Sequence, residues 1–103
     1  MVAIIRRPEA LRDLEDIFVY IGNDNMEAAH RFEHAAESAF QFIAKNPGIG
    51  RERKFKAAPD VCSWRIRDFE NYLIFFRLQE ECVEIIRVLH GARDLEKEFK
   101  SEL

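Results

Sequence analysis

Residues 61–95 read VCSWRIRDFENYLIFFRLQEECVEIIRVLHGARDL, and this stretch decides the fold. Val61–Arg67, Tyr72–Leu78 and Cys82–His90 are rich in β-branched and aromatic residues, which suit a pleated, half-buried surface. Asp68-Phe69-Glu70-Asn71 separates the first two runs and Gln79-Glu80-Glu81 the second pair, each too short for the crossover that parallel neighbours need. The pattern predicts a three-stranded antiparallel meander. In its first strand Trp64 and Ile66 alternate with Arg65 and Arg67, one face apolar and the other cationic. The next two strands are apolar on both faces. Tyr72, Ile74 and Phe76 are expected opposite Leu73 and Phe75, and Val83, Ile85 and Leu89 opposite Ile86 and Val88. A sheet of this kind needs cover on both sides.

The remaining elements are expected to supply that cover. Val2–Arg7 is a short apolar run ended by Pro8, suited to an added strand. From Glu9 to Ile21, Leu11, Leu14, Phe18 and Ile21 recur at helical spacing, with Ile17 and Ala10 widening the stripe, and Gly22-Asn23-Asp24-Asn25 breaks the pattern. A second helix follows, capped by Asp24 or Asn25, its stripe built from Ala28, Phe32, Ala35, Ala36, Ala39 and Ile43. Small side chains on that stripe let the helices approach as an antiparallel hairpin over one sheet face. Phe40 and Phe42 straddle the stripe, which predicts a partly exposed Phe42. Asn46–Gly50 ends the helix, and the basic stretch Arg51–Lys56 with its single Phe55 reads as a long surface loop, either functional or a solvated connector. A final helix over Ala92–Leu103 is expected to cover part of the second face through Leu95 and Phe99, leaving apolar surface for a partner. The fold class is therefore α+β: a two-layer β-α-α-β-β-β-α arrangement with a mainly antiparallel sheet and a helical hairpin on one face.

With 103 residues, 48% hydrophobic and 34% charged, the chain is expected to form one domain over residues 1–103. No apolar run approaches a membrane span and no signal core is seen, so a cytoplasmic protein is expected. Cys62 and Cys82 fall on strands separated by a third, which disfavours a disulfide. The net charge of −3 argues against non-specific nucleic-acid binding. Its distribution is uneven: residues 1–44 carry four basic and eight acidic side chains, residues 45–93 ten and seven, and residues 94–103 two and four. The sheet and its loop are thus the positive part of the surface.

Taken together the chain resembles the ParE/RelE toxin superfamily of bacterial type II toxin–antitoxin systems, and its ParE branch in particular. The resemblance rests on Ile85–Asp94, IIRVLHGARD, similar to the closing strand and its turn, on Asn71–Arg77, NYLIFFR, similar to the middle strand, and on Asn46–Gly50, NPGIG, similar to the loop after the helices. The turn also has a structural reading: Gly91 permits a sharp bend, Asp94 suits a first helical turn, and Arg93 can pair with an acid.

The resemblance implies a toxin that poisons DNA gyrase, held inactive by a ParD-like antitoxin in a hetero-oligomer, with no cofactor, no metal and no sequence-specific nucleic-acid binding of its own. The alternative it implies is a RelE-like ribosome-dependent mRNA endonuclease. RNA cleavage needs a base, a leaving-group acid and cations for the phosphorane charge. The candidates are His90, Arg67, Arg93 and Lys54, with Lys56 beside it. A lone His, no Tyr after the closing strand, and an acidic balance favour the gyrase reading. Antitoxin or target contacts are then expected from Phe18 and Phe42 on the hairpin and Arg65, Arg67 and Arg77 on the sheet, against the bland reading of these arginines as solvated strand positions. His30 and His34, on the second helix, are expected to lie far from the catalytic candidates.

Overall fold

A computed structural model describes residues 1–100. In chain order the elements are β1 (Ala3–Arg6), α1 (Pro8–Gly22), α2 (Met26–Lys45), β2 (Arg51–Glu52), β3 (Cys62–Ile66), β4 (Phe69–Gln79), β5 (Cys82–His90) and α3 (Leu95–Lys100). The sheet order is β1-β5-β4-β3-β2, with β1 parallel to β5 and every other pair antiparallel. The α+β class and the meander are as expected. The two-residue β2 is an addition that forms where the basic loop runs beside Cys62 and Ser63.

Pro8 occupies the first turn of α1, where its missing N–H costs nothing, and Asn25 caps α2 by accepting the Ala28 N–H at 3.0 Å. The buried stripe of α1 runs Ala10, Leu14, Ile17 and Ile21, so that Ala10 and Ile17, expected to widen the stripe, form its middle. Leu11 consequently lies half exposed on the outside. On α2, Phe40 is buried and Phe42 is 44% exposed, as the stripe predicted.

Two local features of the sheet depart from simple alternation. The β3–β4 turn is Arg67-Asp68 alone, with Asp68 at φ 69°, a left-handed conformation that Asp tolerates better than most residues. Phe69, expected in a loop, therefore pairs with Ile66 and packs edge-to-face on Phe32 at 5.3 Å. In β5, Phe75 pairs with Arg87 and Phe76 with Ile85, so Ile86 has no partner and forms a bulge. One extra residue reverses the faces beyond it. Val88 joins Val83 and Ile85 beneath the helical hairpin, and Leu89 joins Ile86 on the far side, which corrects the expected assignment of those two residues.

The bulge falls where β5 loses its neighbour. β1 ends at Arg6, and the next backbone contact is Arg7 N–H to the Ile85 carbonyl at 3.0 Å. Beyond it the Asp13 carboxylate of α1 takes the place of a strand. It accepts the Val88 N–H at 2.9 Å and the Arg87 guanidinium at 2.7 and 3.0 Å. Arg87 also reaches Glu98 of α3, so one charge tie links the hairpin, the sheet and the last helix.

One core lies between the hairpin and the sheet, led by Phe32, Phe40, Ile43, Ile66, Ile74, Phe76 and Ile85. The second lies on the opposite face and contains Phe55, Val61, Phe75, Ile86, Leu89 and Phe99. Phe55 corrects the reading of its loop as surface chain. Lys54 takes φ 56°, which turns the following residue inward, and the Phe55 ring stacks on Phe99 at 4.9 Å. The final helix covers this face through Leu95 and Phe99 as expected, while the expected continuation over residues 101–103 lies outside the described residues. Loop and helix together roof the second face, and the groove that stays open lies instead between the β3 edge and α2, on the hairpin side, which corrects the expected position of the leftover surface.

Gly50, just before β2, lies against the first core. A Cβ there would overlap the buried Phe76 ring and sit 2.7 Å from the Cys62 Cβ, whereas one on Gly48 would meet nothing within 4 Å. Gly50→Ala is expected to lower unfolding stability by about 1–3 kcal/mol through overpacking, with Gly48→Ala near neutral, measured by urea denaturation. Asp13→Ala leaves a mostly buried Arg87 and an unpaired strand N–H; a loss of about 3 kcal/mol is expected in the same measurement, against less than about 0.5 for Asp16→Ala on the exposed face.

Candidate functional site

Strand β2 covers only Cys62 and Ser63 of β3, so the edge from Trp64 to Ile66 has no neighbouring strand. Because Arg53 donates its N–H to the Val61 carbonyl, ladder alternation points the backbone groups of Ser63 toward β2 and those of Arg65 toward the open edge. A groove of about 1220 Å³ runs along this edge. Its wall on α2 is low, made by Ala35, Ser38 and Ala39, one helical face of small side chains. At one end Phe42 stacks on Trp64, ring centroids 5.8 Å apart; toward the other stand His30 and His34, with Phe18 packed edge-on against His30 at 5.2 Å.

The rim is cationic. Arg31, Arg51, Arg53, Arg65 and Arg67 line the groove against two acids, Asp68 and Glu70. Arg31, Arg51, Arg65 and Arg67 make no ion pair among the described residues, in a chain where Arg6, Arg7, Arg77, Arg87 and Arg93 all have carboxylate partners. Arg53 is packed differently. Its guanidinium lies over the Phe55 and Phe75 rings at 5.7 and 5.8 Å and bonds Ser63 Oγ at 3.4 Å. Burial, reinforced by the neighbouring Arg51, pulls its pKa below the ordinary arginine value.

Four of the five residues expected at a binding surface come together here: Phe42, Arg65 and Arg67 line the groove and Phe18 flanks it. Arg77 lies elsewhere, bonded to Asp60 at 2.7 Å and Glu84 at 3.4 Å as a brace between β4, β5 and the loop. Sequence reasoning did not single out Trp64, Arg31, Arg51 or Arg53 as site residues. It also placed His30 and His34 far from Arg67, whereas all three line one groove. The four-residue spacing of the two histidines, with Ala35, Ser38 and Ala39 following them, was the available signal.

The residues considered for RNA cleavage are not gathered at one point. His90 ends β5, where its Nδ1 accepts the Ala92 N–H at 3.0 Å and its ring packs edge-on against Tyr72 at 5.2 Å. That bond leaves the neutral ring with its proton on Nε2. Arg93 is bound to Glu98 at 2.8 Å. Lys54 follows β2 beside the start of β3, while Arg67 follows its end, so roughly 13 Å of strand separates them. The turn after β5 is itself internally bonded: Gly91 N–H to the Asn71 carbonyl at 2.7 Å, Arg93 N–H to the His90 carbonyl at 3.1 Å, and Lys97 N–H to Asp94 Oδ1 at 3.3 Å. Among the described residues no group of three or more His, Cys, Asp and Glu could hold a metal, and no helix is long and apolar enough to cross a membrane.

A sequence model described as the ParE toxin of type II toxin–antitoxin system, parDE, matches residues 4–95. A solved structure titled "Chromosomal ParDE TA system from P. aeruginosa" superposes with a TM-score of 0.72 at 19% identity, over 87% of this chain and 96% of that one, a likeness of fold. No curated protein matches the sequence.

Cys62, on β3 beside the groove, has its thiol pKa pushed up, first by burial and then by Glu52 and Asp60. Its proton is held more tightly in the folded than in the unfolded chain. The resulting stability is intact below the ordinary thiol pKa of about 8.5 and is lost as pH rises through the shifted value. The stability difference between the natural protein and Cys62→Ser is therefore expected to narrow as urea midpoints are followed from pH 8 to above 9, and a constant difference would remove this assignment.

Proposed function

Since the chain belongs to the ParE toxin family of type II toxin–antitoxin systems, we propose that it acts by binding DNA gyrase and prolonging its cleaved-DNA state, and that a ParD-like antitoxin neutralises it through the groove beside β3. The observation that carries this reading is the groove's row of arginines, Arg31, Arg51, Arg65 and Arg67, which have no ion-pair partner among the described residues. A cation that the fold does not neutralise is set for an outside anion, and a protein that traps one state of a cycle needs differential affinity, not catalysis. The geometry gives less support to RNA cleavage. His90 Nδ1 and Arg93 are committed to the turn, and Lys54 stands at the other end of β3 from Arg67. An antitoxin segment covering the groove would order on a surface already built, the usual arrangement for coupled folding and binding.

The purified protein is expected to inhibit gyrase supercoiling and accumulate cleaved DNA while leaving message intact in a translating-ribosome assay. Double substitution Arg65→Glu/Arg67→Glu, at exposed positions outside both cores, is expected to weaken antitoxin binding at least about tenfold without changing the urea midpoint. Message cut on the ribosome, and spared by His90→Ala, would replace the gyrase reading with the nuclease one.

A further inference from the structure

We infer that the groove takes its partner as a β-strand: an extended segment, apolar and acidic at alternate positions, pairs with the open edge of β3 in line with β2. This deepens the antitoxin reading above and rests on it. Three observations point to that chemistry.

The first is the edge itself. Arg65 turns its backbone N–H and C=O away from β4, and β2 stops two residues short of it. Unpaired edge groups are a template for another peptide backbone. The second is the difference between the two sides of that edge. A strand laid along β3 would send alternate side chains toward α2, where Ala35 and Ala39 leave room beside Trp64, and the others to the side of Ser63 and Arg65, where Arg53 also stands. The first set must be apolar. The second meets guanidinium groups, so carboxylates fit there. The third is that Arg65 has no acid paired with it among the described residues.

Two other occupants fit less well. A second copy of this chain, paired edge to edge, would set Arg65 against Arg65. Single-stranded nucleic acid would leave the strand's amide and carbonyl unmatched, would meet Asp68 and Glu70 on the rim, and would find Phe42 and Trp64 already stacked on each other.

The test uses the full chain labelled with ¹⁵N, titrated with a synthetic peptide of alternating Leu and Glu. Alternating Leu and Lys, two Leu–Glu peptides N-methylated at every second residue in either register, and a mixed-sequence single-stranded DNA serve as the other probes. The Leu–Glu peptide is expected to slow Arg65 amide exchange at least about tenfold at saturation, and Arg65→Glu to weaken its binding about tenfold or more. One N-methylated register should fail to bind. The inference is overturned if the Leu–Lys peptide binds equally, if both N-methylated peptides bind as well as the parent, if the Arg65 amide stays unprotected, or if the DNA binds and the Leu–Glu peptide does not. The parent reading fails separately. A chain that protects Arg65 with the peptide yet leaves gyrase untouched loses the proposed target and keeps the strand site. A complex with the co-expressed product of an adjoining reading frame in which Arg65 still exchanges freely keeps the neutralised toxin and loses the strand.

Discussion

The structure depends on one constraint: β4 and β5 carry large apolar side chains on both faces, with Ile74, Phe75 and Phe76 in succession all buried. In a chain of 103 residues this demands two covers from little material. The helical hairpin supplies one. The other is assembled from two pieces with no core of their own, the loop around Phe55 and the short helix bearing Phe99, which become a roof only by stacking on each other and on Phe75. Material spent there is not available at β3, and the strand at that side, β2, is two residues long. The open edge follows from how the second face is closed.

Charge completes what packing cannot. The Asp13 carboxylate stands in for a missing strand beside Val88 and ties through Arg87 to Glu98, so both covers are anchored at the same edge of β5. A buried pair of this kind contributes mainly by being fully satisfied, since removing either partner leaves the other desolvated and unmatched. Arg77 plays a similar part between Asp60 and Glu84. These arginines and those at the groove look alike in sequence, and only the placement of acids in space separates braces from a surface left open to a partner.

That distinction marks how far the sequence could be read. The meander, the hairpin, the half-exposed Phe42 and the covering role of Leu95 and Phe99 follow from periodicity, because periods of 2 and 3.6 report which side of an element meets the core. The Ile86 bulge was not legible. A single inserted residue leaves the local composition unchanged and shows only in register, which depends on where β1 ends and Asp13 begins to cap the edge. The burial of Phe55 was not legible for a related reason: a lone aromatic between Lys54 and Lys56 has no periodicity, and its burial depends on Phe99, more than forty residues away. At the groove, the arginines of β3 were visible from alternation, but Arg31 and Arg51 join them only through the tertiary packing of α2 and β2.

An unpaired strand edge is ordinarily a hazard, because it invites pairing with another copy of the same chain. Here the residue at the open edge is Arg65, flanked by Arg67 at the turn and Arg51 at the end of β2, so self-pairing would bring like charges together without counter-ions among the described residues. The same feature that discourages self-association favours a partner of opposite charge, and one set of side chains does both because neither task needs anything beyond unneutralised arginine at an accessible edge. An arginine paired internally, as Arg77 is, carries its own counter-ions and would neither repel a second copy nor select a partner.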